Sequence, residues 1–68
     1  MKQIDARGMA CPEPVVMTQK AVKESPEGVE VLVDNPCAVE NITRFANSRK
    51  YKVALCEQSG EYRLTLSK

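Results

Sequence analysis

Four prolines, at positions 12, 14, 26 and 36, mark where regular structure can begin in this 68-residue chain. Proline holds φ at about −65° and lacks an N–H, so it breaks a helix from within but is tolerated in the first turn. Cys11-Pro12-Glu13-Pro14 is therefore read as the opening of a helix that runs to about Glu24. Val15, Val16, Ala21 and Val22 form its apolar side, with Thr18, Gln19, Lys20 and Lys23 in water. Ser25-Pro26-Glu27-Gly28 is a turn by composition. Asn35-Pro36 starts a second helix, with Asn35 as N-cap and Pro36 at the first helical position. Val39, Ile42, Phe45 and Ala46 follow as its apolar stripe, and it should end near Arg49.

The remaining intervals alternate between apolar and polar residues, the period of a half-buried strand. Lys2 to Ala6 is a short first strand, with Ile4 and Ala6 on one side, and Arg7-Gly8 turns the chain. Val29, Val31 and Val33 mark a second strand, and Tyr51, Val53 and Leu55 a third, alternating with Lys52, Ala54 and Cys56. After a turn at Ser59-Gly60, Tyr62, Leu64 and Leu66 mark a fourth. The order β-α-β-α-β-β predicts an α+β fold, a two-layer α/β sandwich. Its four-stranded mixed sheet carries two helices on one face. The first two strands should be parallel, joined by a right-handed crossover, and the last two a hairpin. Gln3, Asp5, Glu30, Leu32, Ala54, Cys56, Arg63 and Thr65 then line an open sheet face, either solvated or a docking surface. A chain this short buries only about 60% of its unfolded surface. A functional site should accordingly be an exposed edge, not an enclosed cavity.

Composition removes several function classes. Ten Lys and Arg oppose nine Asp and Glu, a net charge of +1, without the basic excess that direct nucleic-acid binding usually shows. No run of about 18 apolar residues suggests a membrane span, and the N-terminus lacks a secretory pattern, so the expected location is cytoplasmic. Three cysteines, at 11, 37 and 56, are an odd number for a disulfide scaffold and contain no Cys-x-x-Cys pair. Histidine is absent, which removes most zinc sites and every Cys-His nucleophilic pair. Neither a metal nor another cofactor is expected.

Cys11 is the candidate catalytic residue. If it is the N-cap, Pro12, Glu13 and Pro14 are the first three helical positions. Pro14 has no N–H, which leaves the backbone N–H groups of Glu13 and Val15 as donors to the sulfur. Those donors and the positive end of the helix dipole favour a thiolate. The prolines hold the cysteine in place, and Arg7 in the preceding turn adds positive charge, whereas the Glu13 carboxylate opposes it if it points at the sulfur. The competing reading is a structural cysteine, since free Cys is among the most buried residue types. Position 11 lies at the carboxyl end of a strand, where ligands of open α/β sheets gather, and this favours chemistry.

The stretch Asp5-Ala6-Arg7-Gly8-Met9-Ala10-Cys11-Pro12-Glu13-Pro14 resembles the signature of the TusA-like (SirA/YedF) sulfurtransferase family. The likeness runs the length of the chain. Asp34-Asn35-Pro36 and Val39 through Ala46 look most like the N-terminal domain of YedF-type proteins, some of which are linked to selenium metabolism. The resemblance implies a sulfur carrier holding a persulfide on Cys11. Sulfur would come from a cysteine-desulfurase-type donor and pass to a thiol-bearing acceptor protein, as in tRNA thiolation. Residues 1–68 would be a single TusA-like domain, either a complete carrier or an excised N-terminal domain. Two residues depart from the pattern: Met9 replaces the usual Leu, and Lys50 stands where a helix-ending Gly is expected. A left-handed Lys costs on the order of 1 kcal/mol relative to Gly.

Cys37, in the first turn of the second helix, should lie at the same pole as Cys11. It is a candidate resolving thiol or simply a small residue. Cys56 is read as a sheet-face residue. Arg44, Arg49, Lys50 and Lys52 are the one basic concentration, as expected near a helix C-terminus. Asp34 could accept a hydrogen bond from a backbone N–H or act on substrate. The alternative function is a non-catalytic RNA- or protein-binding module of the same fold.

Overall fold

The computed structural model describes residues 2–10 and 13–68. Six elements follow one another: β1 (Lys2–Asp5), α1 (Glu13–Glu24), β2 (Gly28–Val33), α2 (Pro36–Ser48), β3 (Lys52–Gln58) and β4 (Glu61–Ser67). The strands form one sheet in the order β1-β2-β4-β3, which leaves β3 at an edge. β1 is parallel to β2, and β4 is antiparallel to both of its neighbours. This is the mixed four-stranded sheet and two-helix layer that the periodicity predicts.

Strand alternation builds the core. Val29, Val31 and Val33 of β2 and Leu64 and Leu66 of β4 are fully buried, with Ala38, Ile42 and Ala46 of α2 against them. Ala21 of α1 and Ala6, just beyond β1, complete the cluster, and Ile4, Val15, Met17, Val22, Val39, Val53 and Tyr62 pack around it.

The topology sorts the connections to two ends. Because β1 and β2 are parallel and Val33 pairs with Tyr62, the β1–α1 loop, the β2–α2 loop and the β3–β4 hairpin share one end, called upper here. The hairpin is a two-residue turn at Ser59 and Gly60, both at positive φ, the backbone of a type I′ turn.

At the lower end α1 and α2 finish. Lys50 takes the left-handed conformation (φ 62°). Its N–H donates to Asn47 O (3.1 Å) and that of Tyr51 to Ala46 O (2.9 Å), the two bonds of a Schellman motif. Lysine thus fills the glycine position as expected. Tyr51 is buried, and its hydroxyl donates to Pro26 O at 2.7 Å. That bond ties the start of β3 to the α1–β2 turn.

Three expectations about burial are corrected. Thr18 is fully buried, not wet, because its hydroxyl donates to Pro14 O (2.8 Å) and its methyl group can then pack. The buried stripe of α1 is accordingly Pro14, Thr18 and Ala21, and Val16 is 37% exposed. Leu55 alternates in step with Tyr51 and Val53, yet it is 54% exposed, since β3 is an edge strand that is exposed along most of its length.

Candidate functional site

The upper end is assembled by the segment that leaves β1. Ala6 N–H continues the ladder to Leu32 O (2.7 Å). Arg7 N–H then donates to Asp5 Oδ1 (3.1 Å), an Asx-type turn that bends the chain out of the sheet. Gly8 follows at φ +76°, a conformation that suits glycine, and its N–H donates to Asp34 Oδ2 at 2.8 Å. One residue after β2 thereby holds the loop after β1. Asp34 accepts from a backbone N–H, one of the two roles expected for it.

The Arg7 side chain makes a second attachment. Its Nε and Nη2 donate to the two Asp5 oxygens (2.9 and 2.7 Å), and Nη1 donates to Glu61 Oε2 (3.0 Å). These bonds bring the Asp5 carboxyl from its ordinary 3.8 down to about 2, and the two carboxylates push the Arg7 guanidinium up. The guanidinium therefore clamps the loop to the start of β4. Its charge, which the sequence alone offers to a sulfur, lies between two carboxylates. Asp5 and Glu61 are partners that the sequence does not single out for the site. The Asp5-Ala6-Arg7 spacing carries a local signal for the first, whereas Glu61 is 54 positions from Arg7 and carries none.

Cys11 and Pro12 lie outside the described residues. On either side of them, Glu13 N–H donates to Ala10 O at 2.9 Å. The N–H that the sequence offers to the sulfur thus has the carbonyl three residues back as an acceptor, which closes a turn. Pro14 is fully buried, and Val15 is half-buried against the core. The second proline of the Cys-Pro-Glu-Pro run therefore acts as a plug that seats α1 on the sheet, while the Glu13 side chain is exposed.

Cys37 is in the first turn of α2, exposed at the upper end, where Asn41 Nδ2 donates to its sulfur (3.6 Å). Asn35 caps that helix, its side chain accepting from Ala38 N–H at 2.8 Å. The basic residues are engaged locally: Arg44 pairs with Glu40 one turn back (2.6 Å), and the Arg49 guanidinium lies 5.2 Å from the Phe45 ring centre. On the open face, Gln3, Glu30, Leu32, Cys56, Gln58 and Arg63 line an open groove of mixed polarity. Among the described residues no cluster of His, Cys, Asp and Glu could hold a metal ion, and no helix is long and apolar enough to cross a membrane.

Comparison with known proteins adds four findings. The family model described as "Sulfurtransferase TusA" matches residues 2–68. A "putative sulfur carrier protein" of Methanocaldococcus jannaschii is 42% identical over 71 residues, covering 100% of this chain and 95% of that protein. One of the same description from Archaeoglobus fulgidus is 48% identical over 44 residues, 62% of this chain and 57% of that one. The crystal structure of a SirA-like protein from Desulfitobacterium hafniense superposes with a TM-score of 0.90 at 35% identity, covering 98% of this chain and 96% of that one.

Proposed function

Since this chain belongs to the TusA sulfurtransferase family, we propose that it is a sulfur carrier whose persulfide forms on Cys11. The reading rests on the family match over residues 2–68, in a chain where Cys11 alone among three cysteines lies in the Cys-Pro-Glu-Pro run. The described frame supports it. The loop before Cys11 is held by Asp34 and by the Arg7 clamp, and the helix after it is seated by Pro14.

The chemistry is two thiol–persulfide exchanges and consumes no oxidant. The Cys11 thiolate attacks the outer sulfur of a donor protein's persulfide; the donor S–S bond breaks and the donor leaves as a thiolate. An acceptor thiolate then attacks the outer sulfur now on Cys11, and Cys11 leaves as a thiolate. With Glu13 N–H bonded to Ala10, Val15 N–H is the donor proposed to stabilise the anion. Arg7 contributes by holding the loop. Cys37 is the proposed resolving thiol: its attack on the inner sulfur would give a Cys11–Cys37 disulfide and release hydrosulfide. The acceptor is proposed to be a protein of tRNA thiolation or of selenium metabolism. Loading with selenocysteine in place of cysteine compares the two chalcogens on the same thiol.

Incubation with a cysteine desulfurase and cysteine tests the reading. Trypsin cleavage after Arg7, Lys20, Lys23, Arg44, Lys52 and Arg63 places the three cysteines on different peptides. One added sulfur is expected on the Cys11 peptide and none on Cys11→Ser protein. Loading that persists on the variant, or maps to Cys56, overturns the assignment.

A further inference from the structure

An unprotected strand edge is a template for pairing, and proteins usually blunt one with short length, charged side chains, proline or a bulge. The two edges of this sheet differ. β1 has four residues and is charged at both ends, whereas β3 has seven, Lys52 to Gln58, and its charges, Lys52 and Glu57, flank the uncharged run Val53-Ala54-Leu55-Cys56. β3 contains no proline, and its register with β4 runs unbroken from Lys52↔Ser67 to Gln58↔Glu61, so no bulge twists it away. Midway along it, Leu55 is the most exposed of the large apolar side chains among the described residues, at 54%.

We propose that β3 is a self-association edge, on which a second copy of this chain pairs antiparallel about a two-fold axis at Ala54 to give one continuous eight-stranded sheet. Side-chain pattern selects both the occupant and the register. A two-fold axis perpendicular to the sheet keeps the helix side of one copy continuous with that of the other. With the axis at Ala54, Leu55 of each copy faces Val53 of the other, and Lys52 faces Cys56. Apolar meets apolar twice, and no like charges are opposed. With the axis at Leu55, Val53 faces the carboxylate of Glu57; with the axis at Cys56, Leu55 does. With the axis at Val53, Leu55 meets Tyr51, but only Lys52 to Ala54 of the strand are then paired. Among the axes that pair five or more strand residues, the edge is thus complementary to itself in one register, which is how a half-buried strand specifies pairing.

Two consequences follow from the topology. The paired stretch is about five residues a side, roughly 17 Å, so the contact is smaller than a standard interface and the dimer is concentration-dependent. β3 and β1 are opposite edges of the sheet. Pairing through β3 therefore leaves residues 6–10 of both copies uncovered, at opposite ends of the joined sheet.

Sedimentation equilibrium of the whole chain under reducing conditions, from roughly micromolar to millimolar, is expected to show a monomer–dimer equilibrium. Leu55→Lys should weaken it at least about tenfold, because the leucine loses its buried position, and should leave sulfur loading unchanged. The register is tested separately. With Cys11, Cys37 and Cys56 replaced by Ser, Ala54→Cys should cross-link two copies on mild oxidation, since directly opposed residues lie within about 5.5 Å. Gln58→Cys in the same background should not. A monomer at every concentration, a dimer indifferent to Leu55→Lys, or cross-linking through position 58 instead of 54 overturns the proposal. If Leu55→Lys fails to fold, the cross-linking pair decides alone.

Discussion

The two ends of the molecule are held by different chemistry. At the lower end the buried ties go to backbone carbonyls, with Tyr51 OH to Pro26 O, the Schellman bonds at Lys50 and Tyr51, and the Ser25 hydroxyl 2.9 Å from Gly28 O, and one exposed ion pair, Lys2 with Glu24, lies outside them. Tyr51 is 6% exposed, and Lys68 Nζ lies 5.1 Å from its ring centre. At the upper end the ties are exposed carboxylates and a guanidinium: Asp5, Arg7, Glu61 and Asp34. Exposed ion pairs each contribute only about 0–1 kcal/mol to stability. The lower end therefore stabilises the fold, and the upper end shapes a loop. Such a division suits the proposed site at Cys11, since the loop before it is held in shape by groups whose loss leaves the fold standing.

The largest effect expected from this contrast is at Tyr51. Replacing it with Ala removes a buried ring, at about 3–5 kcal/mol, comparable to the whole stability that a core this small supplies. Urea titration should find Tyr51→Ala largely unfolded before denaturant is added. Tyr51→Phe keeps the ring and loses one hydrogen bond, for about 1 kcal/mol. A Tyr51→Ala protein as stable as wild type would erase the distinction between the ends.

Asp34→Ala sharpens the contrast from the other side. Gly8 N–H loses its acceptor, but the loop is exposed and water can replace it, so stability should change by less than about 1 kcal/mol. The position of the loop is expected to change more. Misplacing a reacting group by a fraction of an ångström slows chemistry, and sulfur loading of Cys11 should fall on the order of tenfold. Measuring the urea midpoint and the loading rate on one preparation separates the two. A variant that loses stability yet loads normally would make Asp34 a stabilising residue after all.

The same division explains which parts were legible in the sequence. Local features were: Asn35 as N-cap, the left-handed Lys50, the Ser59-Gly60 turn and the strand alternation all depend on residues within a few positions. For Asp34 the sequence leaves two roles open, accepting from a backbone N–H and acting on substrate, and it does not name Gly8 as the donor. What escaped depends on distant partners or on geometry. The bonds from Arg7 to Glu61 and from Tyr51 to Pro26 join residues far apart in the chain. Thr18 looked polar because its hydroxyl is satisfied only once the helix exists. Leu55 fitted the alternation, but strand period says nothing about which strand ends up at the edge. Counting helical positions offers Glu13 N–H to the sulfur, and it does not reveal the Ala10 carbonyl as an acceptor of that same N–H.

Acid should act on the two ends unequally, and this is the smallest of the expected effects. The Arg7 bonds lower the Asp5 carboxyl to about 2 in the folded chain, against an ordinary 3.8. A depressed carboxylate contributes a favourable term that is fully present above its unfolded value and is lost as pH falls through the folded one. The window is therefore about pH 4 to 2, and nothing should change at Asp5 between neutrality and pH 5. Both partners are exposed, so the loss of overall stability should be slight. The loop should nevertheless register it, since a protonated Asp5 no longer holds the Arg7 N–H and guanidinium together. Amide shifts of Arg7 and Gly8 followed by NMR should move in that window, while the Tyr51 amide, bonded to the Ala46 carbonyl, stays still until the chain unfolds. Simultaneous movement at both ends would mean that the clamp and the lower lock form one cooperative unit. Separate movement would show that the loop before Cys11 can be loosened with the fold intact.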